Sequence, residues 1–220
     1  KPVNTFSSEL LRKVSHKDTY KDLNSDQVFL SMTQFPTLWY EVPFIYIKPG
    51  NDSIRKIIGI PATQKYARFI NFFDEKGNYK LSKYLEEAYK VANPNQFEKD
   101  FVETDKKINL LNSALSGSIL KIFPIPNHDN NKWVSYPELG EAHLKGMDSV
   151  FTRQILPIYL NSLSSAALNN QFKEPDFYLD GIIKYQKRYG SKVMPSEDKI
   201  SSEILYNKYD VFKKLFYLYM

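Results

Sequence analysis

Apolar residues recur at helical spacing over most of this chain, and in only two places do they gather into short β-branched and aromatic runs. Val28, Phe29, Met32 and Phe35 follow the cluster Asn24-Ser25-Asp26 three or four residues apart. The pattern predicts a helix opened by an N-cap and ended at Pro36. PFIYIKPG (Pro43 to Gly50) then reads as a short strand closed by a turn. A helix is expected through Ala62 to Phe73, stopped by DEKGNY, where Gly77 suits a left-handed cap or a hairpin turn. Leu81 to Val91 resumes a helix and Pro94 restarts it. From Asn95 to Ser116, Phe97, Phe101, Ile108, Leu111 and Leu115 keep the 3.6-residue period of a long amphipathic helix.

SILKIFPIP is the second strand candidate, near residues 119–123. The polar stretch from Asn127 to Asp148 reads as a connection with embedded aromatics that separates sub-halves at about 26–125 and 145–220. Helices are expected at 148–169, 174–189 and 195–219, antiparallel and hairpin-like, with Gly190 and Pro195 as stop and start. The fold class is therefore α+β, predominantly α-helical. Residues 1–25 are polar and mixed in charge apart from a short helical candidate around Ser8 to Val14, so they read as a leader onto one domain of 26–220.

In the terminal helix Glu203, Asn207, Asp210 and Lys214 form a polar stripe that stops where Leu215 to Met220 begin. Lys213 and Lys214 followed by Phe216, Tyr217 and Tyr219 fit a chain approaching a bilayer, with lysines at headgroups and rings at the interface. A C-terminal helix docking its apolar end on the core would give the same pattern. The chain opens on Lys1-Pro2 without a signal pattern and is read as an excised piece.

Composition narrows the chemistry. The 220 residues carry a net charge of +5, spread as +3 over residues 1–110 and +2 over 111–220, without the focused basic face that nucleic acid requires. No cysteine is present, which removes disulfides, thiolate metal sites and cysteine nucleophiles. The few glycines form no phosphate-binding loop. His16, His128 and His143 have no partner ligand at i+3 or i+4, and a zinc site needs three or four ligands. His128 is a conceivable axial haem ligand, but a loop histidine between asparagine and aspartate is ordinarily solvated. NHDNNKW lacks the glycine and distal glutamate of a calcium loop, and Glu86-Glu87 and Asp74-Glu75 do not face one cleft. No catalytic, cofactor-binding or metal-binding residue is therefore assigned. Lys132, Trp133 and Tyr136 stand out as rings in a polar setting: exposed, they would anchor a partner; buried, they are core.

The strings FPTLWYEVPFIYIK, YARFINFFDEKGNYKL, GSILKIFPIP with NNKWVS, and KYQKRYGSKVMPSEDKISSEILYNKYDVFKKLF resemble the extracytoplasmic domain of a fused bacterial System II cytochrome c biogenesis protein, from about Asp26 to Met220. The resemblance implies a place on the periplasmic side of the inner membrane, with membrane helices after Met220. It further implies an intact protein that exports haem and joins it to the thiols of a CxxCH motif. The partners implied are apocytochrome c, the membrane portion of the same chain and the membrane surface. The family's tryptophan-rich haem-handling segment has no match here, since Trp39 and Trp133 stand alone, so haem belongs to the intact protein and no ligand is carried over. The chain by itself is expected to be a non-enzymatic module that docks apocytochrome c or braces the synthase; the alternative is a self-standing helical interaction domain unrelated to haem.

Overall fold

Leu10, Leu11 and Val14 sit on one face of the first helix, α1 (Val3–Ser15), and all three are fully buried. The segment that polarity marks as a leader thus supplies core. Three apolar residues at spacings of one and three suffice to seat a helix whose remaining face is polar. The computed structural model describes residues 2–50 and 52–209. Two compact units are present: residues 1–115 with the chain from Tyr206 onward, and residues 116–205. Among the described residues the fold is α+β and predominantly helical, its strands forming two small antiparallel pairs.

In the first unit α1 packs on α2 (Ser25–Gln34) and on α6 (Gln96–Leu115), the long helix that the period of Phe101, Ile108 and Leu111 predicts. A capping box opens α2: the Asn24 side chain accepts from the Gln27 N–H, and the Asn24 N–H donates to the Gln27 side chain. After the short α3 (Pro36–Tyr40), strand β1 (Ile45–Tyr46) leads to α4 (Asp52–Ile58) and pairs with β2 (Tyr66–Ala67), Ile45 opposite Ala67. The helix expected through Ala62 to Phe73 is absent. Its place is taken by β2 and a 3-10 turn, Phe69–Phe72, because the apolar residues of this stretch find a strand partner and ring neighbours instead of a helical face. Gly77 (φ 81°) closes the following hairpin turn, after which α5 (Ser82–Lys90) packs against α6.

Charged groups are buried in this unit, and each is met. Arg55, 3% exposed, donates to the carbonyls of Ile47, Lys48 and Gln64, tying α4 to both sides of the β1–β2 pair. Asp100 takes Lys48 at 3.3 Å and Gln96 at 2.7 Å. Lys107 reaches Glu103 at 2.9 Å, the Tyr46 carbonyl and His16, whose ring stacks on Tyr46 at 4.3 Å. Asp105 accepts from Tyr89 and Asn109.

The second unit begins with strand β3 (Lys121–Pro124), which pairs with β4 (Trp133–Ser135) across a loop, Phe123 opposite Val134. The stretch read as a polar connection therefore holds a strand, followed by a 3-10 turn, Pro137–Gly140. Glu138 fixes this corner by accepting from the Ser135 N–H and hydroxyl and pairing with Lys121. Helices α7 (Gly146–Asn169) and α8 (Lys173–Gly190) form a hairpin, and α8 packs on β3. Asn170 in the left-handed conformation (φ 54°) caps α7. Helix α9 (Glu197–Tyr209) has no buried residue: Ile204 and Leu205 are exposed, whereas Glu203 and Asn207 are half-buried. The remainder of the expected polar stripe lies outside the described residues.

Candidate functional site

The hairpin loop between β3 and β4 and the C-terminal end of α8 enclose a cleft of about 420 Å3. Ile125, Asn127, His128, Asp129 and Asn131 line it from the loop, and Arg188, Tyr189, Ser191 and Lys192 from the helix end. Asn127 (φ 54°) and Asn131 (φ 46°) both take the left-handed conformation, which asparagine tolerates better than most residues and which curls the loop. The Ile125 N–H donates to the Lys132 carbonyl at its base.

The side chains in this cleft are mainly donors. The Arg188 guanidinium lies over the Tyr189 ring, 5.0 Å from its centroid. The Tyr189 hydroxyl is occupied by both Asp148 oxygens at 3.1 Å, and burial, then that carboxylate, raises its pKa. Lys187, on the same helix end, pairs with Glu197 at 3.0 Å, whereas neither Arg188 nor Lys192 has a carboxylate in ion-pair reach among the described residues. His128 Nδ1 accepts from the Asn130 N–H at 3.2 Å. In the neutral ring the proton is therefore on Nε2, making His128 a donor there. A histidine that ligates a metal does the reverse, donating through one nitrogen while the other binds. Among the described residues no group of three or more histidine, aspartate or glutamate side chains could hold a metal ion.

Trp133, in β4, and Tyr136, at the start of the 3-10 turn, flank this hairpin. Trp133 is half-buried, its ring lying on Gly190 so closely that a Cβ there would fall 2.1 Å from Cζ2. Its indole N–H is buried without a partner, as is the hydroxyl of Tyr185 one turn before Gly190. Burial raises the pKa of Tyr185, and the nearby Asp148 carboxylate adds to the effect.

Tyr136 is 38% exposed, but its hydroxyl has a task. It donates to the Arg153 carbonyl at 3.2 Å, the group left without its helical partner because Pro157 in α7 has no N–H. Lys132 is exposed. The three residues thus share one hairpin and its exit. Lys213, Lys214, Phe216, Tyr217 and Tyr219 lie outside the described residues. Arg188 and Lys192 were not singled out from sequence, because charges at a helix C-terminus are common there; their meeting with residues 60 positions earlier has no local signal.

No family model matches the chain. The chain is similar to the protein NrfI of Wolinella succinogenes, 32% identical over 216 residues, which are 97% of this chain and 23% of that protein. It therefore spans under a quarter of the length of the curated relative it matches. The expectation that the chain is by itself no enzyme is corrected by this alignment, in which 97% of the chain lies within NrfI. Among the described residues no helix is long and apolar enough to cross a membrane. The likeness to NrfI supports a role for this chain in cytochrome c biogenesis.

Proposed function

We propose that this chain works within a cytochrome c synthase that attaches haem to apocytochrome c on the periplasmic side of a bacterial membrane, and that the β3–β4 hairpin receives the apocytochrome. The single observation that carries the assembly role is the 32% identity to NrfI along nearly the whole chain. For the docking face, the support is physical. Lys132 and the Tyr136 ring are exposed beside a half-buried tryptophan, and aromatic anchors backed by rigid packing lose little entropy when a partner lands on them. Haem is the cargo in this reading. On the same reading, Lys213 and Lys214 with Phe216, Tyr217 and Tyr219 lie close to the membrane surface, which paired lysines followed by interfacial rings favour.

The test is made in the full-length protein in cells. A photo-crosslinking residue at position 132 is expected to capture apocytochrome c with an intact CxxCH motif. Lys132→Glu is expected to lower holocytochrome yield several-fold at unchanged protein level. Crosslinking that is absent at 132 yet strong at a distant surface position would remove the hairpin from the docking role, and unchanged holocytochrome in Lys132→Glu would do the same.

A further inference from the structure

We infer that the cleft between the β3–β4 loop and the end of α8 is a binding site for a small carboxylate. This goes beyond the role in cytochrome assembly and rests on the cleft's own residues. Arg188, Lys192 and the Nε2–H of His128 are its donors, and Asp129 is the sole carboxylate in its lining. The Tyr189 hydroxyl is taken up by Asp148, to which it donates, and the remaining polar groups, Asn127, Asn131 and Ser191, are neutral. A cleft that gathers two cations and a fixed imidazole donor, with one acid between them, holds net positive charge that no side chain of the lining neutralises.

Helix-end cations ordinarily answer the negative pole of the helix or a neighbouring acid. At this helix end Lys187 does so, pairing with Glu197, while Gly190 gives its carbonyl to the N–H groups of Val193 and Met194. Arg188 is held differently, over the Tyr189 ring. A guanidinium attracted to a ring face spends none of its N–H groups there and keeps them for the two parallel bonds that match a carboxylate. Lys192 and His128 complement that fork as single-point donors. A cavity of about 420 Å3 falls within the range of small-molecule sites and exceeds what one ordered water needs.

The probes are succinate and inorganic phosphate, titrated into the full chain at constant ionic strength and followed by amide chemical shifts. Succinate is expected to shift Asn130 and Ser191 saturably and more tightly than phosphate. Arg188→Gln should weaken it about tenfold, as loss of a bidentate charged contact does, and Arg188→Lys should fall between, since charge stays while the fork is lost. Lys192→Gln should weaken it by about threefold. Lys187→Gln, outside the cleft, should leave it unchanged. Shifts that fail to saturate, that chloride reproduces, or that Arg188→Gln leaves intact overturn the site. Tighter phosphate than succinate overturns the carboxylate assignment.

Discussion

The two units bury their long helices to different depths. In the first, Leu10, Leu11 and Val14 of α1 and Phe101 of α6 are sealed at 0%; in the second, Ile155, Leu156 and Leu160 of α7 keep 7–8% of their surface, and full burial is reached at the strand residue Phe123. Buried charge follows the same division. The first unit buries Arg55, Asp100, Asp105 and Lys107 and gives each a partner. The second buries no charged side chain among its described residues and exposes Met147, Leu168 and Phe177, while buried groups without a partner occur in both: the Tyr79 hydroxyl in the first, the Trp133 indole N–H and the Tyr185 hydroxyl in the second. An orphaned buried donor costs about 1–3 kcal/mol, and exposed apolar area forgoes what burial would contribute. The contrast marks the first unit as scaffold and the second as the part that presents surface.

The core is where this contrast breaks most readily. Phe101→Ala is expected to cost about 4 kcal/mol, because a fully enclosed ring leaves a cavity, while Leu160→Ala should cost about 2 kcal/mol at a partly open site. Amide exchange read separately in each unit measures both. Equal losses would erase the distinction between a deep and a shallow core.

Arg55→Met comes next, at about 3 kcal/mol in the first unit, since three carbonyls lose their donor together. A loss under about 0.5 kcal/mol, the scale of an ordinary surface substitution, would mean that water replaces the guanidinium and that the charges are not integral to the scaffold.

In the second unit, Gly190→Ala drives a methyl into the Trp133 ring. A cost of about 1–3 kcal/mol is expected from overpacking, with a red shift of tryptophan emission as the indole is pushed outward. An unshifted emission spectrum would show that the hairpin and α8 are not locked through this contact.

The smallest effects are pH slopes, and they sort by unit. Partial burial, then the Lys107 ammonium, lower the His16 pKa below its usual 6.5. The folded ring stays neutral where the unfolded chain binds a proton. Stability of the first unit is therefore complete above pH 6.5 and declines as pH falls through the window below it. His16→Gln should flatten that slope. Glu138 is held down to about 2 by the Ser135 N–H, then by Lys121 and the Ser135 hydroxyl. The second unit keeps that contribution above about pH 4.5 and loses it as pH falls toward 2. A common slope in both units would deny that they titrate independently.

Elements that rest on their own residues were legible in the chain. The Asn24 capping box, the period of α6 and the α7–α8 hairpin depend on neighbours three or four positions apart, and the structure has them where the spacing puts them. Trp133 and Tyr136 were legible as rings out of period, but their tasks were not. Tyr136 serves a carbonyl freed by Pro157, twenty-one positions on, and Trp133 needs a glycine fifty-seven positions away. Polar composition hid the burial of α1, because three buried apolar residues weigh little against ten others in an average.

The sequence by itself thus determined a predominantly helical α+β chain with most of its helices. Its likeness to cytochrome assembly proteins was also readable there. Only the tertiary structure decided that Tyr66 and Ala67 extend beside Ile45 and Tyr46 where a helix was expected, that the polar connection folds back as β4, and that His128, Arg188 and Lys192 share one cleft. The reason is one of range. A helix satisfies its hydrogen bonds within four residues, whereas a two-residue strand or a side-chain cleft exists only once distant segments have met, and no local pattern encodes that meeting.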